Sequence, residues 1–96
     1  MNITKNVNGD STIVCLSGRL DTSTAPEFEA FVNDNLADVS NLTLDCKELE
    51  YISSAGLRVL LGMQKKLKGA MKLTNVGELI MEVFEMTGFA DILTIE

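Results

Sequence analysis

Short β-branched runs alternate with helical apolar stripes along this chain, and that alternation limits its fold more than any other feature. The run Thr12-Ile13-Val14-Cys15-Leu16-Ser17 is rich in β-branched residues and reads as a strand. A shorter run around Ile3 to Val7 precedes it, and Asn8-Gly9-Asp10-Ser11 between them signals a tight turn. The two runs therefore predict an antiparallel hairpin. Leu42, Leu44 and Cys46 alternate with Thr43 and Asp45 as a third, short strand, followed by a loop from Lys47 to Ile52. Met71 to Val76 predicts a fourth strand, and Ile92 to Ile95 a last short one.

Three helical patterns fall between these strands. Phe28, Phe31, Val32 and Leu36 recur at helical spacing. Thr24 with Glu27 three residues on fits a capping box, and Pro26 falls in the first turn, where proline is tolerated. A second helix opens at Ser53-Ser54-Ala55-Gly56-Leu57, carries Leu57, Leu60, Leu61 and Leu67 as its core stripe, and stops at Gly69. A third runs from Glu78 to Thr87 with Leu79, Ile80, Val83 and Phe84 inward and Gly88 as its stop. The order β-β-α-β-α-β-α-β predicts an α/β fold with a mixed sheet of four or five strands, mostly parallel, and helices packed against it. Its 96 residues suffice for one domain.

Composition excludes several function classes. The net charge of −6 repels phosphate backbones and anionic bilayers, so neither nucleic acid nor membrane is an expected partner. No apolar run approaches the ~20 residues of a transmembrane helix, and the N-terminus lacks the form of a secretion signal, so the expected location is the cytoplasm. The sequence has no histidine, which removes the commonest general base and the commonest metal ligand. Cys15 and Cys46 both lie in strand-like segments, where buried, unpaired core roles are expected. No phosphate-binding glycine loop, dinucleotide fingerprint or nucleophile elbow is present, and Asp45, Glu48 and Glu50 read as a solvated acidic face. The expectation is a binding protein, neither an enzyme nor a holder of metal or cofactor.

The segment Tyr51-Ile52-Ser53-Ser54-Ala55-Gly56-Leu57-Arg58 stands out. One reading is helix capping, since serine is a favoured N-cap worth ~0.5–2 kcal/mol. The other is a contact surface: glycine early in a helix costs up to ~1 kcal/mol against alanine, and an uncrowded, hydroxylated helix start suits close approach by another molecule. With Leu57, Leu60 and Leu61 inward, Ser54, Arg58, Gly62 and Lys65 line the outer face, flanked by Val59 and Met63 as exposed apolar residues. That face is either an ordinary solvated one or a docking surface.

At these residues the sequence resembles the STAS domain of bacterial anti-sigma-factor antagonists, over essentially the whole of residues 1–96. Leu16-Ser17-Gly18-Arg19-Leu20-Asp21 is similar to the family's Gly-x-Leu-Asp element. Leu44-Asp45 and then Leu49-x-Tyr51-Ile52-Ser53-Ser54-Ala55-Gly56-Leu57 resemble its strand-loop-helix signature, and Val83-Phe84-Glu85-Met86-Thr87-Gly88-Phe89 its C-terminal helix ending. The resemblance implies a protein that binds an anti-sigma factor with serine-kinase activity and is switched off when that kinase phosphorylates a serine at the start of the second helix. A serine phosphatase of the PP2C type would reset it. Aligned on Gly56-Leu57, the phosphoacceptor falls on Ser54, with Ser53 as a secondary candidate. The resemblance and the helix register together imply a partner-binding set of Asp21, Ser53, Ser54, Ala55, Gly56, Arg58, Val59, Gly62 and Met63. The family motif places an aspartate where this chain has Ser53. The alternative that the resemblance leaves open is a STAS-type accessory subunit of a membrane transporter.

Overall fold

The computed structural model describes residues 1–36, 39–67 and 70–96. Its elements run β1 (Asn2–Asn8), β2 (Ser11–Leu20), α1 (Ala25–Asn35), β3 (Asn41–Ile52), α2 (Ser54–Leu67), β4 (Met71–Thr74) and α3 (Glu78–Thr87), followed by a 3₁₀ turn at Phe89–Asp91. The four strands form one mixed sheet in the order β1-β2-β3-β4, with β1 antiparallel to β2 and the other pairs parallel. The hairpin turns on Gly9 and Asp10, with Asn8 opposite Ser11 and Gly9 at a φ of 63°. The expected fifth strand reduces to a single bridge between Leu73 and Ile95, held by Leu73 N–H to the Thr94 carbonyl and Glu96 N–H to the Leu73 carbonyl. The expected stop at Gly69 lies outside the described residues.

One face of the sheet supplies the core: Val14 and Leu16 from β2, Leu42, Leu44 and Cys46 from β3, and Met71 and Leu73 from β4 are all buried. Phe28 of α1, Leu60 of α2 and Phe84 of α3 complete the same cluster. Cys15 points to the other face and is only half-buried, which corrects the expectation that both cysteines lie in the core. The alternation of β2 places it there, one residue out of step with Val14 and Leu16.

The expected loop from Lys47 to Ile52 is strand, and it forms the second half of β3. Two irregularities hid it. Cys15 pairs Asp45 and Ser17 pairs Glu48, so β3 takes three steps where β2 takes two; Gly18 pairs Leu49 and Arg19 pairs Tyr51, so it gains another residue there. These bulges stretch the inward spacing from every second residue to every third, at Cys46, Leu49 and Ile52. An alternation test fails on such a segment.

The helices also differ in detail from their expected stripes. In α2 the buried line is Gly56, Leu57, Leu60 and Met63, while Leu61 and Leu67 are half-buried. In α3, Ile80 and Phe84 are buried, Val83 is half-buried and Leu79 is 71% exposed. The capping box at α1 does not form. Thr24 Oγ1 instead accepts the Asp21 N–H at 2.8 Å and donates to the Arg19 carbonyl at 2.7 Å, which holds the end of β2 against the start of α1.

Candidate functional site

The site is built where the end of β2 meets the junction of β3 and α2. Leu20 pairs with Ile52, and the next residue, Ser53, donates its N–H to the Leu20 carbonyl at 2.9 Å. This hydrogen bond fixes Leu20–Asp21 beside the first turn of α2, two segments more than thirty residues apart in sequence. Ser53 stands at the N-cap position. Its carbonyl accepts the Leu57 N–H at 2.9 Å, and its Oγ faces the Gly56 N–H at a long 3.4 Å. Ser53 is therefore the capping serine and Ser54 is not.

Ser54 opens α2, is exposed, and its hydroxyl has no hydrogen-bond partner among the described residues. The first turn of a helix carries unsatisfied N–H groups and the positive end of the dipole. In α1 and α3 an acidic residue, Glu27 or Glu78, lies in that turn; in α2 none does. The Ser54 hydroxyl thus sits, open to solvent, at a positive helix end whose own first turn holds no acid.

Gly56 faces inward. A Cβ there would come within 2.7 Å of Leu20 Cγ and 3.0 Å of Ile52 Cγ1. The small residue serves close packing of α2 on the strand ends, which corrects its reading as a point of approach for another molecule. Ala55 is likewise half-buried and packs on the core. Met63 is buried, so the expected exposed methionine is a core side chain; it takes the inward position that Leu61 was expected to fill. Arg58 and Gly62 are exposed as expected, and Val59 is half-buried.

Arg58, Val59, Gly62 and Met63 border a shallow groove of about 180 Å³ between α2 and α1, whose other lip is formed by Glu29, Val32 and Asn33. Those three were not legible as site residues, because nothing in sequence relates the outer face of the first helix to that of the second. Gly62 leaves the groove open, with nothing within 4 Å of where its Cβ would stand.

Asp21 sits at the rim of the site with a structural task. Its Oδ1 accepts the Ser23 hydroxyl at 2.7 Å, the Ser23 N–H at 3.0 Å and the Thr24 N–H at 3.1 Å, and its carbonyl accepts the Ala25 N–H at 2.8 Å. Asp21 thereby ties together the turn that leads into α1, ahead of Thr24 at the N-cap, whose own side chain makes no cap bond. The Ser23 hydroxyl, and with it the Thr24 and Ser23 N–H groups, holds its carboxyl below the usual carboxylate range. Arg19 Nε lies 3.7 Å from Asp21 Oδ2, and its guanidinium stacks 4.3 Å from the centre of the exposed Tyr51 ring. Arg19 and Tyr51 are neighbours only because of the second bulge in β3. Among the described residues no three acidic or thiol side chains converge as a metal site, and no helix is long and apolar enough to cross a membrane.

Known proteins share this fold. The family model of the STAS domain matches residues 2–96. The anti-sigma-B factor antagonist of Bacillus subtilis (strain 168) is 32% identical over 99% of this chain and 92% of its own length. Two solved structures share the fold at lower identity. One is an anti-sigma factor antagonist from Mycobacterium paratuberculosis, with a TM-score of 0.87, 23% identity, and coverage of 98% of this chain and 83% of that one. The other is the phosphorylated form of the Bacillus cell fate determinant SpoIIAA, with a TM-score of 0.72, 18% identity, and coverage of 99% and 91%. The chain belongs to the STAS domain family and stands there with the anti-sigma factor antagonists.

Proposed function

We propose that this protein is an anti-sigma-factor antagonist that acts as a binding switch without catalysis of its own. In this reading residues 1–96 are one STAS domain in the cytoplasm. The outer face of α2 docks on an anti-sigma factor with serine-kinase activity, and phosphorylation of Ser54 ends the complex. A PP2C-type phosphatase restores the free hydroxyl. The observation that carries the reading is the Ser54 hydroxyl: exposed, without a hydrogen-bond partner among the described residues, and at the start of α2, whose first turn holds no acid. The relative named an anti-sigma-B factor antagonist supports the partner class, and the phosphorylated SpoIIAA shows that a protein of this fold carries phosphate.

The physics of the switch follows from that position. A phosphoserine brings about −1.5 to −2 charge. At an exposed helix N-terminus that charge is favourable by ~0.3–1 kcal/mol, so the folded domain tolerates it. A close-packed interface does not, because burying an unpaired charge costs several kcal/mol and each ~1.4 kcal/mol is tenfold in affinity. Ser53 is the secondary acceptor, but its Oγ is turned toward the Gly56 N–H and its backbone is held by Leu20. The test is to incubate the protein with a serine-kinase anti-sigma factor of its own genome and ATP, map the phosphate by mass spectrometry, and measure affinity before and after. Phosphate on Ser54 with a ~100-fold or greater loss of affinity is expected. Modification of Ser53 alone, or unchanged affinity, would overturn the assignment.

A further inference from the structure

The α3 helix carries an apolar strip that the core does not use. Leu79 is 71% exposed and Met86 86% exposed, although both belong to the helix that supplies Ile80 and Phe84 to the core. At about 100° per residue, positions 79 and 86 fall within ~20° of each other around the helix, with the half-buried Val83 beside them. The strip ends in a shallow hollow of about 420 Å³ that Leu79 shares with Leu49 and Glu50 of β3 and with Gly77.

The charge beside the strip is of one sign. Glu78, Glu82 and Glu85 project along its solvent side, are exposed, and enter no ion pair among the described residues. Beyond Lys72 the sequence contains Glu78, Glu82, Glu85, Asp91 and Glu96 and no Lys or Arg. Large exposed apolar side chains flanked by uncompensated charge are the makings of a recognition surface.

We propose that this face of α3 is a second docking surface, separate in chemistry from the α2 face, and that its occupant is a basic amphipathic helix of a partner protein. Leu79, Val83 and Met86, at spacings of four and three, fit a helix laid along α3 with apolar anchors at the same intervals. Glu78, Glu82 and Glu85 call for Lys or Arg along one edge of that helix. A second copy of this chain is the wrong occupant: it would set the same glutamates against each other, on a molecule whose net charge is already −6. Nucleic acid and anionic lipid are repelled for the same reason.

The test uses the full chain, labelled with ¹⁵N, and a synthetic helical peptide of Leu, Lys and Ala about five turns long, with a control in which every Lys is Glu. Saturable amide shifts are expected on residues 78–87 and at Leu49 and Glu50 with the basic peptide, and none with the acidic one. The triple change E78Q/E82Q/E85Q should weaken binding about tenfold, and higher salt should do the same to the parent. L79S/M86S, which alters only exposed side chains, should keep the melting temperature and lose the peptide. Shifts centred on α2, or binding that is unchanged in E78Q/E82Q/E85Q, would overturn the proposal. So would a concentration-dependent dimer in sedimentation that L79S/M86S abolishes, since that makes the second copy the occupant.

Discussion

Gly56 is pressed onto Leu20: a Cβ on the glycine would stand 2.7 Å from Leu20 Cγ and 3.1 Å from Leu20 Cδ2. This contact sets how closely the first turn of α2 lies against the end of β2, and so where Ser54 and Asp21 stand relative to each other. Gly56→Ala gains up to ~1 kcal/mol in helix propensity but overpacks the junction at a cost of ~1–3 kcal/mol. A net loss is expected, read as a melting temperature lower by several degrees. Adding Leu20→Val should recover part of it; a double variant no more stable than Gly56→Ala would mean the clash is relieved elsewhere.

In the proposed switch the two serines have separate roles, and single substitutions test that division. Ser53→Ala removes the hydroxyl facing the Gly56 N–H and should cost roughly 0.5–1 kcal/mol, the low part of the usual range for an N-cap because the 3.4 Å contact is long. Ser54→Ala should leave chemical denaturation unchanged while removing phosphorylation. Equal stability losses from both would show that Ser54 also serves the helix.

Arg58 lies one turn beyond Ser54, exposed at the lip of the groove between α2 and α1. Arg58→Glu should weaken anti-sigma-factor binding tenfold or more while shifting stability by no more than ~0.5 kcal/mol, as for an exposed position. Titration calorimetry paired with a melting curve measures both. A variant that melts several degrees lower would place Arg58 among the residues that hold the monomer.

Asp21 should matter to stability through its turn. Asp21→Ala strips acceptors from the Ser23 and Thr24 N–H groups and should lower the melting temperature near neutral pH. The carboxyl is held below its ordinary value of 3.8, so its stabilisation is present above that pH and is lost as pH falls through the lower folded value. The gap between parent and variant should therefore narrow in acid. A gap constant down to strongly acid pH would mean that the charge contributes nothing.

The cysteines should react unequally. Burial, helped by the neighbouring Asp45 carboxylate, pushes the Cys46 thiol up to about 12, whereas Cys15 is half-buried on the open face of the sheet. Iodoacetamide at mildly alkaline pH should modify Cys15 in the folded protein, and Cys46 only on unfolding. The unfolded thiol ionises near 9 and the folded one near 12, so the unfolded state binds fewer protons between them and stability should fall across that window. Rapid modification of Cys46 in the native protein would contradict its burial.

Local chemistry, carried in the sequence, determined the elements and their order. β-branched runs mark β1 and β2, Gly9 and Gly88 mark turns at positive φ, and the helix starts expected at Thr24, Ser53 and Glu78 lie within a residue of those observed. The Ser54 position and the outward set of Arg58 and Gly62 were legible because helical periodicity is a local property. Tertiary structure alone decided the rest. The second half of β3 is strand only because β2 pairs with it across two bulges, and no alternation within the segment records that pairing. Met63 is inside and Leu61 half-outside because the packing of α2 on β3 and β4, and not side-chain type, sets the helix rotation. Asp21 organises the turn into α1 because β2 ends there. Gly56 is small because Leu20, thirty-six positions earlier, occupies the space its side chain would need. A sequence states which residues prefer to be buried; which of them are buried depends on the partners that the fold brings to each face.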